Sequence, residues 1–129
     1  MNILRLRHLI SILKSVPVNH FDLGTWKCDT SACAIGFATL DPRFNAEGFK
    51  METRKGIVKD WFHQPIYETA SGTYEAWEAV MRFFGLSNEQ ADYLFSDESY
   101  SFELYGQTPS PQHVIERIEE VIEQEACLA

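Results

Sequence analysis

The apolar positions of "MNILRLRHLISILKS" recur every third or fourth residue. Ile3, Leu6, Leu9, Ile10 and Leu13 form one stripe, which predicts an amphipathic helix over residues 2–15. Arg5, Arg7 and Lys14 lie off the stripe, and Pro17 ends it because proline has no amide for the next turn. Phe21 and Trp26 follow as aromatic anchors that fold back on this helix. The next helix is expected to start at Asp29 or Thr30, either of which can cap free backbone N–H groups, and to end before Asp41-Pro42. Within it Ala32, Ala34, Gly36 and Ala38 alternate with Cys33, Ile35 and Phe37, so no face is polar. A helix apolar all round belongs at the centre of a domain. Gly36 gives up about 1 kcal/mol of helix propensity relative to alanine, and close approach of a neighbour is the expected compensation.

The pattern is less regular from residue 43 to 70. "GFKMET" alternates apolar and polar positions, and "QPIYET" places Ile66 and Tyr67 after a proline. These predict two short strands, a small β element between residues 45 and 70 with Arg54-Lys55-Gly56 as its turn. "IVKDWF" fits a helical turn as well. Helical spacing returns from residue 72, where Ser71 or Thr73 can cap a helix with Trp77, Val80, Met81 and Phe84 on one face and Gly85 just past its end. Ser87 and Gln90 match a capping box for a short helix carrying Ala91, Leu94 and Phe95. An irregular acidic and aromatic loop, Ser99–Gln107, then leads to Pro111, at the favoured first position of the last helix. There Val114, Ile115, Ile118, Val121 and Ile122 point inward, and Glu116, Glu119, Glu120, Glu123 and Glu125 toward water. The expectation is a mainly α fold: a single domain, residues 1–129, with about five helices around a buried Thr30–Leu40 helix and a small β element.

Composition narrows the class. A chain of 129 residues is one ordinary domain with room for a core, and 45% hydrophobic residues with seventeen aromatics are globular values. No run approaches the roughly 18 apolar residues of a membrane span. The first helix is broken by Arg5, Arg7 and His8 and has no small-residue cleavage site before Pro17, so it reads as folded structure and the expected location is the cytoplasm. Three cysteines, an odd number, fit reduced thiols.

The net charge of −8 is uneven. Residues 1–88 carry ten Lys/Arg and nine Asp/Glu, whereas residues 89–129 carry ten Asp/Glu and one base, Arg117. Such a surface repels phosphate backbones, which disfavours direct nucleic-acid binding, and suits a basic surface on a protein partner. Charge runs on a helix also serve simply as a solvated face.

Candidate chemistry is sparse. Cys28 and Cys33 have the spacing of half a zinc site with His20 upstream, but a structural site needs a second pair, and Cys127, His8, His63 and His113 are scattered. Cys33 falls in the first turn of the expected helix, where the dipole lowers a thiol pKa, yet Ala32, Ala34, Ile35 and Phe37 surround it with apolar groups that raise it. Cys28 is the better candidate for an exposed thiol, with His20 or His63 as its base. The glutamates of the last helix lack the apolar pocket that general acid catalysis requires, and no phosphate loop, HExxH or G-x-S-x-G motif is present. The chain is therefore expected to hold no metal, no cofactor and no catalytic residue. Tyr100, Phe102 and Tyr105 interleave with Asp97, Glu98 and Glu103, an arrangement suited to aromatic anchoring on a basic partner. With Glu116, Glu119 and Glu123 on the following helix they make the candidate interface. The same rings could instead fill the core beneath the loop.

"FDLGTW" followed by "CDTSACAIGFA" resembles a motif of small uncharacterised proteins of tailed phages and prophages, F-D-M-x-x-W then C-G-T-x-x-C-x-x-G-x-A. The matching residues are Phe21, Asp22, Trp26, Cys28, Thr30, Cys33, Gly36 and Ala38, with Leu23 in place of methionine and Asp29 in place of glycine. "FFGLSNEQADYLF" is similar to a later segment of that family, so the resemblance spans much of residues 20–96. It implies a phage-type accessory protein that binds a host or phage protein, and implies no activity. A small cysteine- or metal-dependent enzyme and an acidic DNA mimic are the alternatives.

Overall fold

The computed structural model describes residues 1–23, 26, 32–55, 61–101, 104, 106 and 108–128, with backbone alone at 54, 55, 61, 62, 127 and 128. The first apolar stripe forms α1 (Ile3–Leu13), which buries Leu6, Leu9 and Leu13, and the Asn2 side chain caps it by accepting from the Arg5 amide at 3.1 Å. After a single 3-10 turn at Val18–His20, Phe21 and Ala32 form an isolated parallel bridge. In it the Asp22 amide donates to the Ala32 carbonyl at 3.0 Å and the Ala32 amide to the His20 carbonyl at 3.1 Å. That bridge holds Ala32 extended, so the second helix does not include it. α2 runs Ala34–Thr39, with extended Cys33 as its N-cap, and is only six residues long. Asp41 caps α3 (Pro42–Ala46) by accepting from the Phe44 amide, and Pro42 occupies the first turn. The same carboxylate lies 2.9 Å from Nε2 of His8, which ties α3 to α1.

The β element is larger than the two-strand ribbon expected. β1 (Phe49–Lys55), β2 (Trp61–Thr69) and β3 (Gly72–Glu75) make a three-stranded antiparallel sheet in the order β1-β2-β3. The supposed helix start at residues 71–73 is a hairpin instead. Thr69 pairs with Gly72, and the Thr69 hydroxyl accepts from the Ser71 amide and donates to the Gly72 carbonyl. Pro65 sits within the central strand, opposite Met51, yet β3 pairs only with Ile66–Thr69. The edge on which proline lacks a donor therefore faces no paired residue of β3. In "IVKDWF", Trp61 and Phe62 belong to β2 by their backbone and the rest lies outside the described residues.

α4 (Ala76–Phe84) follows β3 directly and packs across β2 and β3. Its buried face is Ala79, Val80, Phe83 and Phe84, and Trp77, expected to point inward, is 38% exposed. Gly85 closes the helix in the left-handed conformation, φ 66°, which glycine adopts without strain. The capping box of Ser87 and Gln90 opens α5 (Asn88–Phe95), and the supposed loop begins as a short helix, α6 (Asp97–Ser101). α7 (Pro111–Leu128) packs against α1 and α5.

The expectation of a five-helix bundle is thus corrected. The described residues form seven α-helices and a three-stranded antiparallel sheet, a mixed α/β fold in which helix is the larger part. Helix and sheet meet at an aromatic cluster. The rings of Phe49 on β1 and Phe83 on α4 stack 4.3 Å apart, and Phe44 of α3 meets Phe83 edge-on at 5.0 Å. Arg5 of α1 lies over Phe83 at 4.0 Å and donates to its carbonyl at 2.7 Å. Such ring pairs add about 0.5–1.5 kcal/mol each beyond area burial, enough to make this cluster the joint between sheet and helices.

Candidate functional site

Most of the cysteine motif forms a packed corner. Phe21, Ala32, Cys33 and Gly36 are buried, while Asp22 is exposed and Trp26 half-buried. Cys33 Sγ accepts from the Gly36 amide at 3.4 Å and its thiol lies 3.8 Å from the Trp26 carbonyl. Gly36 explains that approach: a Cβ at this position would stand 1.9 Å from the Trp26 carbonyl oxygen and 2.7 Å from the Ala32 Cβ. Burial pushes the Cys33 thiol up from 9.0 to about 11, so at neutral pH it is protonated and a poor nucleophile. Cys28 and Thr30 lie outside the described residues. Among the described residues, no three His, Cys, Asp or Glu side chains converge to hold a metal ion.

The residues expected at a partner interface separate into two groups. Tyr100 is 1% exposed and is no surface anchor. Its hydroxyl donates to the Leu94 carbonyl at 2.6 Å, because α6 folds the ring under α5 where the sequence suggested an open loop. Asp97, Glu98, Glu116, Glu119 and Glu123 are exposed, and Phe102, Glu103 and Tyr105 lie outside the described residues.

Arg117 changes the electrostatics of this region. It is 5% exposed, with its guanidinium carbon 3.7 Å from the centre of the Tyr100 ring and 4.3 Å from that of Tyr93. It donates to the Tyr93 carbonyl at 2.8 Å and to the Ser99 hydroxyl and carbonyl at 3.1 Å each. The one base of residues 89–129 is therefore spent inside, joining α7 to α5 and α6. What this segment shows to water includes Glu89, Asp92, Glu116, Glu119, Glu120 and Glu123, all exposed. Two hollows of about 270 and 300 Å3 open here and share Tyr93 and Glu120, with Glu89 lining one and Glu116, His113 and Arg117 the other. The Tyr93 hydroxyl donates to the Glu120 carboxylate at 3.1–3.2 Å, fixing that charge between them. Sequence reasoning missed Tyr93 and Glu120 as a unit, since twenty-seven positions separate them.

No family model, curated protein or solved structure matches the chain. Among the described residues no helix is long and apolar enough to cross a membrane.

Proposed function

We propose that the protein is a non-enzymatic accessory protein, of the phage kind its cysteine motif resembles, that acts in the host cytoplasm by binding a basic surface on another protein. The observation that carries this reading is the burial of Arg117, which leaves the outer side of α5 and α7 acidic. Glu116, Glu119 and Glu123 share the wet side of α7 with Glu120, and the hollow lined by Glu89, Tyr93 and Glu120 gives that side relief for an inserted basic side chain. Acidic complementarity of this sort sets orientation and association rate.

The test is affinity capture from bacterial lysate with the wild-type chain and with a Glu116→Lys, Glu119→Lys, Glu123→Lys triple variant. Proteins captured by the first and lost from the second identify the partner. Their capture should weaken as ionic strength passes about 0.1 M, where screening acts within ~10 Å. Identical captures by both chains would refute this surface. The acidic DNA mimic is the same surface with a narrower target. It predicts that the captured proteins bind nucleic acid and that duplex DNA displaces them.

A further inference from the structure

On the side of Cys33 the protein carries a cavity of about 320 Å3, lined among others by Leu23, Trp26, Cys33, Trp77, Phe95 and Asp97. That volume is at the lower end of small-ligand pockets and equals roughly ten waters at about 30 Å3 each. Of the aromatic residues here Phe95 belongs to the hydrophobic core and Trp26 packs against it, whereas Trp77 is no part of it. The inner face of α4 is already filled by Ala79, Val80, Phe83 and Phe84, and Trp77 stands off it, 38% exposed. The Trp26 and Trp77 rings lie 5.0 Å apart at an angle of 59°, so they meet obliquely rather than closing into a stack. Trp26 is pinned from behind, because its carbonyl rests on Gly36 and on the Cys33 thiol. Phe95, 3% exposed, supplies a third ring.

The polar groups set the sign of the ligand. Asp97, exposed as the first residue of α6, is the one charged residue among the described residues that line it, beside Ser96, and the Cys33 thiol is uncharged. Tryptophan is the best aromatic partner for a cation, worth about 0.5 kcal/mol at exposed sites and 2 or more when desolvated. A primary ammonium is strongly hydrated and a guanidinium favours planar bidentate partners. Aromatic walls with one carboxylate suit a rounder, weakly hydrated cation. We propose that this cavity binds an alkylated ammonium group, quaternary or N-methylated, carried either by a small molecule or by a methylated lysine side chain. The proposal is independent of the acidic face of α7.

Tryptophan fluorescence of the full chain, titrated with tetramethylammonium, with choline and with a short trimethyllysine peptide, tests it. The neutral isostere 3,3-dimethylbutanol is the control for shape without charge. At least one cation should give a saturable change, with the isostere about tenfold weaker or more, in line with the cation–π range. Trp77→Ala should weaken binding about tenfold and Asp97→Asn several-fold. Both positions are exposed, and circular dichroism checks that the fold is kept. Should Trp77→Ala unfold, Asp97→Asn and the isostere comparison decide alone. Tighter binding of the peptide than of choline assigns the site to a protein side chain, and the reverse to a small molecule. No saturable response to any cation, equal affinity for the isostere, or full affinity in folded variants at both positions would overturn the proposal.

Discussion

Arg117 and Tyr100 are stacked, guanidinium carbon to ring centre 3.7 Å, on opposite sides of the junction between α7 and α6. A buried arginine is tolerated only when its donors are satisfied. Here the Tyr93 carbonyl and Ser99 accept from it while two tyrosine rings cover its faces.

Tyr100 is therefore a stability residue. Tyr100→Ala removes a ring that is 1% exposed and one face of Arg117, and should destabilise by about 3–5 kcal/mol. Tyr100→Phe keeps the ring but leaves the Leu94 carbonyl without the hydroxyl, which should cost about 1–2 kcal/mol. Urea unfolding of the two variants measures both. A Tyr100→Ala chain as stable as wild type would mean that the ring is not packed beneath Arg117.

Cys33 should couple stability to alkaline pH. Its folded pKa, about 11, is raised above the 9.0 of an ordinary thiol by burial, so the unfolded chain releases this proton first. The protonated thiol thus favours the fold fully below pH 9, and that contribution is lost as pH rises toward 11. At 1.36 kcal/mol per unit, the loss is on the order of 2–3 kcal/mol. Cys33→Ala should flatten this part of the pH–stability curve relative to wild type, a difference that cancels the other two cysteines. The same burial and raised pKa predict that Cys33 labels much more slowly with a thiol reagent at neutral pH in the folded chain than in the unfolded one.

Gly36 should not accept even a methyl group. In most helices glycine to alanine is favourable by about 1 kcal/mol. Here the added Cβ would fall 1.9 Å from a backbone oxygen, which no side-chain rotation relieves. Gly36→Ala should therefore destabilise by about 2–3 kcal/mol, and Gly36→Leu by more or to unfolding. Thermal melts of the two variants check the order.

Where periodicity and capping agreed, the sequence was readable. The stripe of α1, the Ser87–Gln90 box of α5 and Pro111 at the head of α7 all lie where the pattern placed them. It failed where a long-range pairing overrode local preference. Ala32 is drawn into a bridge with Phe21, which shortens α2, and Gly72–Glu75 joins a sheet that residues 49–69 had already begun. The candidate interface was half legible. The glutamates of α7 follow a helical period that fixes their side, whereas the inward Tyr100 ring is held by the Leu94 carbonyl and by Arg117 seventeen positions later. Local spacing carries no record of such a contact. The cavity of Trp26, Trp77 and Asp97 was invisible for the same reason, since three separate segments supply it.

Ala76 is the last point at which the fold can be tested against its own strain. It has φ 52°, the only positive φ among the described non-glycine residues, and sits where β3 turns into α4 with no residue between them. For alanine the left-handed region costs about 1–2 kcal/mol. Glycine would escape that strain but lose about 0.5–1 kcal/mol more backbone entropy. Ala76→Gly should thus be neutral to stabilising, by up to about 1 kcal/mol, and should raise the urea midpoint without changing the slope. Ala76→Val should destabilise by more than 1 kcal/mol, because a β-branched residue fits this conformation poorly. The next residue is Trp77, so the turn at Ala76 also sets the direction in which that indole leaves the helix. Ala76→Val should consequently shift the tryptophan emission of the folded chain, while Ala76→Gly should leave it in place. Equal stability for the alanine, glycine and valine chains would show that this backbone turn is not left-handed.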